Sequence, residues 1–222
     1  DRGGGVYIVE SSARLTDNTI SGNSGFFGGG LYCAECSPIL IRNTFAANAA
    51  SYWCGGLIVE LSPGSMVGNT ITSNTAAEGG GGLCLYGSTG SVVGNSITQN
   101  WSPQGGGVYV DVSSAALINN VVADNQATVA GSGLYISGGS PHLVHTTVVR
   151  NSGGDGSGIY VDDTWGASTV AMTDTILVSH TVGLYVTAGS TVTLEGTLWG
   201  NGTDWAGPGA IVTGTVNVWG DP

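Results

Sequence analysis

Gly28-Gly29-Gly30-Leu31-Tyr32-Cys33 and, ten residues further on, Asn43-Thr44-Phe45-Ala46-Ala47-Asn48 form a pair of signals that returns along the whole of this 222-residue chain. The glycine signal is anchored at Gly5, Gly30, Gly56, Gly82, Gly107, Gly133, Gly158 and Gly183, at intervals of 25 or 26 residues. A fixed period of this size describes a stack of equivalent units, each burying its apolar side against its neighbours.

The asparagines run in phase with the glycines. One series is Asn18, Asn43, Asn69, Asn95 and Asn120; the other is Asn23, Asn48, Asn74, Asn100, Asn125 and Asn151. Between the two lies a three-residue run with an apolar centre, as in Thr19-Ile20-Ser21 and Thr70-Ile71-Thr72. Alternation across a strand turns that centre inward and its neighbours outward. Pairs such as Leu57/Val59 and single residues such as Leu40 and Met66 mark two further inward runs. Each unit therefore holds about three short strands separated by turns rich in Ser, Gly, Pro and Asn. No window has a helical period. The expected fold is all-β, a right-handed parallel β-helix of about eight coils, with one domain over residues 1–222.

In this fold the two asparagine series stack as ladders, each amide bonding to the next so that buried polar groups find partners. The glycines are expected at corners needing positive φ or close approach of neighbouring coils.

Composition removes several functions. There is no lysine and there are only four arginines, against a net charge of −11. A basic stripe for nucleic acid is missing, and neither nucleic-acid binding nor membrane insertion is expected. Low charge with abundant Ser, Thr and Asn suits an extracellular or cell-surface location. The chain opens at Asp1 and closes at Asp221-Pro222 inside the repeat pattern, which reads as a processed or partial piece of a longer exported protein. Cys33 and Cys36 flank a turn and are read as a local disulfide, or Cys33 as a core residue, because no second cysteine pair or nearby histidine completes a metal site.

The pairing of GGG-[LIV]-Y with N-T-[IF]-x-x-N resembles the β-helix repeats of bacterial polymorphic outer membrane proteins, which combine GGA-[ILV] with FxxN. Phe45-Ala46-Ala47-Asn48 matches FxxN directly, and Ile20 to Asn23, Ile71 to Asn74 and Ile97 to Asn100 match it with Ile for Phe. The departure is Gly for Ala at Gly5, Gly30 and Gly107. The closing Val218-Trp219-Gly220-Asp221-Pro222 is similar to the ends of such domains. The resemblance implies surface exposure and a role in adhesion or scaffolding, of bacterial type.

Chemistry is less legible. Glu10, Glu35, Glu60, Asp111, Asp162 and Asp163 follow the anchor glycines by four or five residues and make a loose acidic edge of solvated turn residues. Occasional Ca2+ binding is the only cofactor this edge suggests. His142, His145 and His180 do not share a coil position with these carboxylates, and no catalytic set is expected. Tyr7, Tyr32, Tyr109, Tyr135, Tyr160 and Tyr185 form an outward ladder, interrupted at Ile58 and Cys84. Stacking explains the ladder, and a sugar-binding or subunit-packing strip is the sharper reading. The variable loops before the glycine corners carry Phe26, Phe27, Tyr52, Trp53 and Trp101, candidates for contact with a glycan or a partner chain. The expected function is a non-enzymatic structural protein, a surface scaffold, adhesin or filament subunit that meets neighbouring coils or copies of itself. The alternative is a glycan-binding or polysaccharide-degrading β-helix module.

Overall fold

A computed structural model describes residues 2–220, so Asp1 and the Asp221-Pro222 ending lie outside the described residues. Strands pair in parallel with the strand about 25 residues later, and the coils wind into a solenoid. Three sheets of nine strands run its length. The first begins with Val6–Val9 and Leu31–Ala34, the second with Arg14–Thr16 and Ile39–Ile41, the third with Thr19–Ser21 and Thr44–Ala46.

The inward positions are those the alternation marks. Ile20, Phe45, Ile71, Ile97 and Val122 are buried in one column, and Leu40, Met66, Val92 and Leu117 in another. Together with Leu31, Leu57 and Leu83 of the first sheet they fill one narrow continuous core.

The asparagine ladders are both present. Asn69 Nδ2 donates to Asn95 Oδ1 at 2.9 Å and to the Leu40 carbonyl at 2.9 Å. Its Oδ1 accepts from the backbone N–H and the Nδ2 of Asn43, at 2.9 and 3.1 Å. Every polar valence of the amide is used. Asn48, Asn74, Asn100 and Asn125 repeat the pattern in the second ladder.

The two sequence signals depend on one another. A Cβ on Gly30 would lie 2.9 Å from Asn48 Nδ2, and the other anchor glycines meet their own ladder residue in the same way. Close approach, not positive φ, is the anchor's requirement. Positive φ belongs two residues earlier, at Gly28 with φ 61° and at Gly80 with φ 68°.

Two expectations are corrected and a third is extended. The segments read as variable loops form a fourth sheet of six short strands, including Ser24–Phe27, Ala49–Trp53 and Trp101–Gln104. Their mixed composition hides them: they pack on the outside of a corner and carry no strict alternation. A ninth coil, Thr203–Ala206, Ala210–Thr213 and Val218–Trp219, follows the eighth without an anchor glycine. Finally, the tyrosine column faces away from the core but is not open to solvent throughout. Tyr32, Tyr109 and Tyr135 are buried in a second apolar cluster, covered by the fourth sheet and its corners.

Both cysteine pairs are joined. Cys33–Cys36 closes the turn, with Cys33 also in the core, and Cys54–Cys84 ties two neighbouring coils together at the second cluster.

Candidate functional site: an aromatic cleft at the break in the tyrosine ladder

Strand pairing puts Tyr7, Tyr32, Ile58, Cys84, Tyr109, Tyr135, Tyr160 and Tyr185 on successive rungs of one column. Where tyrosines adjoin, their rings stack. Tyr109–Tyr135, Tyr135–Tyr160 and Tyr160–Tyr185 have centroids 5.1, 5.2 and 5.0 Å apart. At Ile58 and Cys84 two rings are missing, and a cavity of about 340 Å3 occupies the gap. Tyr32 closes one end and Tyr109 the other.

The fourth sheet supplies one wall. Phe27 and Trp53 pair in register, Phe26 stacks on Tyr52 at 5.1 Å, and Trp53 meets Tyr109 edge-on at 4.6 Å. Phe27, Tyr52 and Trp53 line the cavity, and Phe26 backs Tyr52 from outside. Trp101, grouped with them by sequence, stands apart. It pairs with Thr75 and Gln126, two to three positions earlier along the strand, and does not reach the cleft. The opposite wall is the next outward column of the first sheet, Glu60, Tyr86 and Asp111 on consecutive coils. Tyr86 is 43% exposed and Trp165, from a later turn, is 65% exposed at the rim.

The charged groups of the cleft have distinct environments. Arg2 Nη1 donates to the Tyr32 hydroxyl at 3.1 Å, and its guanidinium lies 5.2 Å from the Tyr32 ring centre and 5.7 Å from that of Phe27. Tyr32 in turn donates to Glu60 Oε2 at 2.5 Å. Burial and this bond to Glu60 hold the Tyr32 phenol well above its ordinary pKa. Asp111 has no such partner. Burial pushes its carboxyl up to about 6, and its Oδ1 is buried without a hydrogen bond.

The acidic edge is therefore not a row of solvated residues. Asp162 is buried and accepts from the Tyr135 hydroxyl at 2.9 Å and Ser137 Oγ at 3.3 Å, while its neighbour Asp163 is exposed and takes Thr187 Oγ1. Among the described residues no three His, Cys, Asp or Glu side chains are placed to share a metal ion. The sequence points to Phe27, Tyr52 and Trp53 of one wall and to Tyr32 and Tyr109 at the ends, but not to Tyr86, Trp165 or the cavity. Its one signal was the interruption at Ile58 and Cys84, where large side chains give way to small ones.

Outside the cleft the ladders hold residues that the repeat does not forecast: Thr146, Thr175 and Thr197 in the first column and His180 in the second. In the first column Thr146 replaces asparagine and donates to the Leu117 carbonyl at 3.0 Å. In the second, His180 stands between Asn151 and Asn201, with Nε2 3.3 Å from Asn151 Nδ2 and Nδ1 3.0 Å from Asn201 Oδ1. A neutral imidazole protonated on Nδ1 accepts from one and donates to the other, as an amide would. Burial lowers its pKa, which keeps it neutral.

No curated protein matches the chain. A family described as "Right handed beta helix region" matches residues 4–199, which spans all eight glycine-marked coils up to Trp199. This protein belongs to the right-handed β-helix family.

Proposed function

We propose that the chain is a non-catalytic extracellular scaffold that binds glycan in its lateral aromatic cleft. The observation that carries this reading is the cavity of about 340 Å3 walled by Trp53, Tyr52, Tyr86 and Tyr109 with carboxylates beside them. That volume lies within the range of small-molecule sites. Flat apolar ring faces with a few polar groups at their edges suit the alternating CH-rich faces and hydroxyl rims of a sugar ring. The wall is built on paired strands, so ligand binding orders little and costs little entropy. Two disulfides fit an oxidising compartment, and the resemblance to bacterial surface repeats points to a cell-surface setting.

A glycan array, with a parallel reducing-sugar assay on the glycans retained, tests both halves of the reading. Binding that falls at least tenfold in Trp53→Ala, with no new reducing ends, is expected. Reducing ends released by the wild-type protein would overturn the non-catalytic half, and an array with no bound glycan would overturn the glycan half.

Self-association is a second reading, favoured by the last coil. Val212, Val216, Val218 and Trp219 are each more than half exposed there, beside strands paired on one side only. Such an edge accepts further coils, from a second copy or from more of the same polypeptide. Sedimentation at increasing protein concentration checks the version that uses a second copy: a monomer at all concentrations would exclude it.

A further inference from the structure

We propose that the cleft selects a cationic sugar, a glycan unit carrying a protonated or quaternary amine, over neutral or acidic units; this rests on the glycan reading above. Three observations converge on it. Glu60 and Asp111 stand on the same wall two coils apart, with Tyr86 between them. A rung spacing near 4.8 Å puts them roughly 10 Å apart, so a sugar amine over Tyr86 is within reach of either. The one cation that lines the cleft among the described residues, Arg2, is already committed to the Tyr32 hydroxyl and to two ring faces. Asp111 Oδ1 is enclosed without a donor. An ammonium group held beside this carboxyl would offset its charge, whereas a neutral ring would leave the charge uncompensated and an acidic one would add to it.

The aromatic walls act in the same direction. Where Trp53, Tyr109 or Tyr86 turns a ring face to the cleft, that face attracts an alkylammonium group. The wider field agrees: the net charge is −11, and Asp162 lies on the same column two coils beyond Asp111.

Protonation sets the pH response. The groups facing Asp111 are Tyr109 on its own strand, Tyr86 and Glu60 on the preceding coils, Ser137, Tyr135 and Asp162 on the following ones, and Arg2 and Trp53 across the cleft. None of these is a histidine or lysine. Asp111, with a pKa near 6, is then the group that changes charge in the mildly acidic range.

The test is titration calorimetry with three tetramers of β-1,4-linked glucosamine at low salt: the free amine, the N-acetylated form and the N-trimethylated form. The free amine at about pH 6 and the trimethylated form are expected to bind at least about tenfold more tightly than the acetylated tetramer. The trimethylated form keeps its charge at every pH, so its affinity should drop between about pH 7.5 and pH 5 as Asp111 takes up its proton. In Asp111→Asn this pH dependence should shrink towards nothing and the preference should fall, Glu60 and the ring faces keeping part of it, with an unchanged melting curve showing that the variant folds. If the acetylated tetramer binds as tightly as the charged ones, the selection proposed here is overturned and glycan binding stands. If no saccharide binds, on the array or in the calorimeter, both fall together.

Discussion

At the scale of single residues, an asparagine inside a ladder, such as Asn69, is held by four side-chain hydrogen bonds, and this makes the cost of losing it calculable in outline. Asn69→Leu strands the Leu40 carbonyl and the donors of Asn43, and leaves Asn95 Oδ1 with only the backbone N–H of residue 69 as a donor. Equilibrium denaturation should show a loss of about 1–3 kcal/mol. Asn69→Thr should cost less, because Thr146 already fills an equivalent rung with its hydroxyl on the Leu117 carbonyl. His180 makes a pH prediction. Its folded pKa lies below the 6.5 of the free side chain, so between the two values the unfolded chain holds the extra proton and stability rises with pH. Its contribution is complete above about pH 6.5 and is lost as the pH falls through that value towards the folded pKa. His180→Asn restores an amide rung and should flatten the dependence of the melting temperature on pH between about 7 and 5. The positions of the asparagines and their stacking were legible from period alone. The histidine was not, because nothing in a single sequence says that an imidazole in this rung works as an amide.

At the scale of the element, strands and turns differ in how openly they announce themselves. Three strands of each coil have one or two obligatory inward residues, such as Ile71 or Leu40, and the alternation reveals them. The fourth sheet has no such rule. Ala76 and Ala127 point in where space is tight, while Phe27 and Trp53 pack sideways over the tyrosine column. Its strands could be found only by noticing that the residues before each glycine corner keep register, as Phe26 with Tyr52 and Phe27 with Trp53 do. The disulfides belong to this scale too. Cys54–Cys84 closes a loop of 30 residues, Cys33–Cys36 one of three. On chain entropy the longer loop is worth about 3–4 kcal/mol and the shorter about 2 kcal/mol. Cys54→Ala with Cys84→Ala should therefore lower stability more than Cys33→Ala alone costs through its crosslink. The effect should centre on the aromatic cluster, where near-ultraviolet circular dichroism reports Trp53 and Tyr109.

For the whole molecule, the solenoid converts a local irregularity into a site. A column of identical residues has no feature along its length. When two rungs of the tyrosine column shrink to Ile58 and Cys84, the stack leaves a trough, and the fourth sheet roofs one side of it. The fold was readable because periodicity is a property of the sequence; the cleft was not, because its volume comes from side chains that are absent from the column and from walls 25 residues apart in the chain. The ninth coil escaped for a related reason: it drops the anchor glycine, and with it the marker, while Trp199 and Trp205 carry the packing. The most direct measurement is the glycan affinity of Ile58→Tyr beside the wild-type protein. Tyrosine at this rung would extend the ladder from Tyr32 and fill the trough without touching the core columns. The account predicts an unchanged or raised melting temperature and a loss of glycan binding of at least about tenfold. Full wild-type affinity in a folded Ile58→Tyr protein would contradict it.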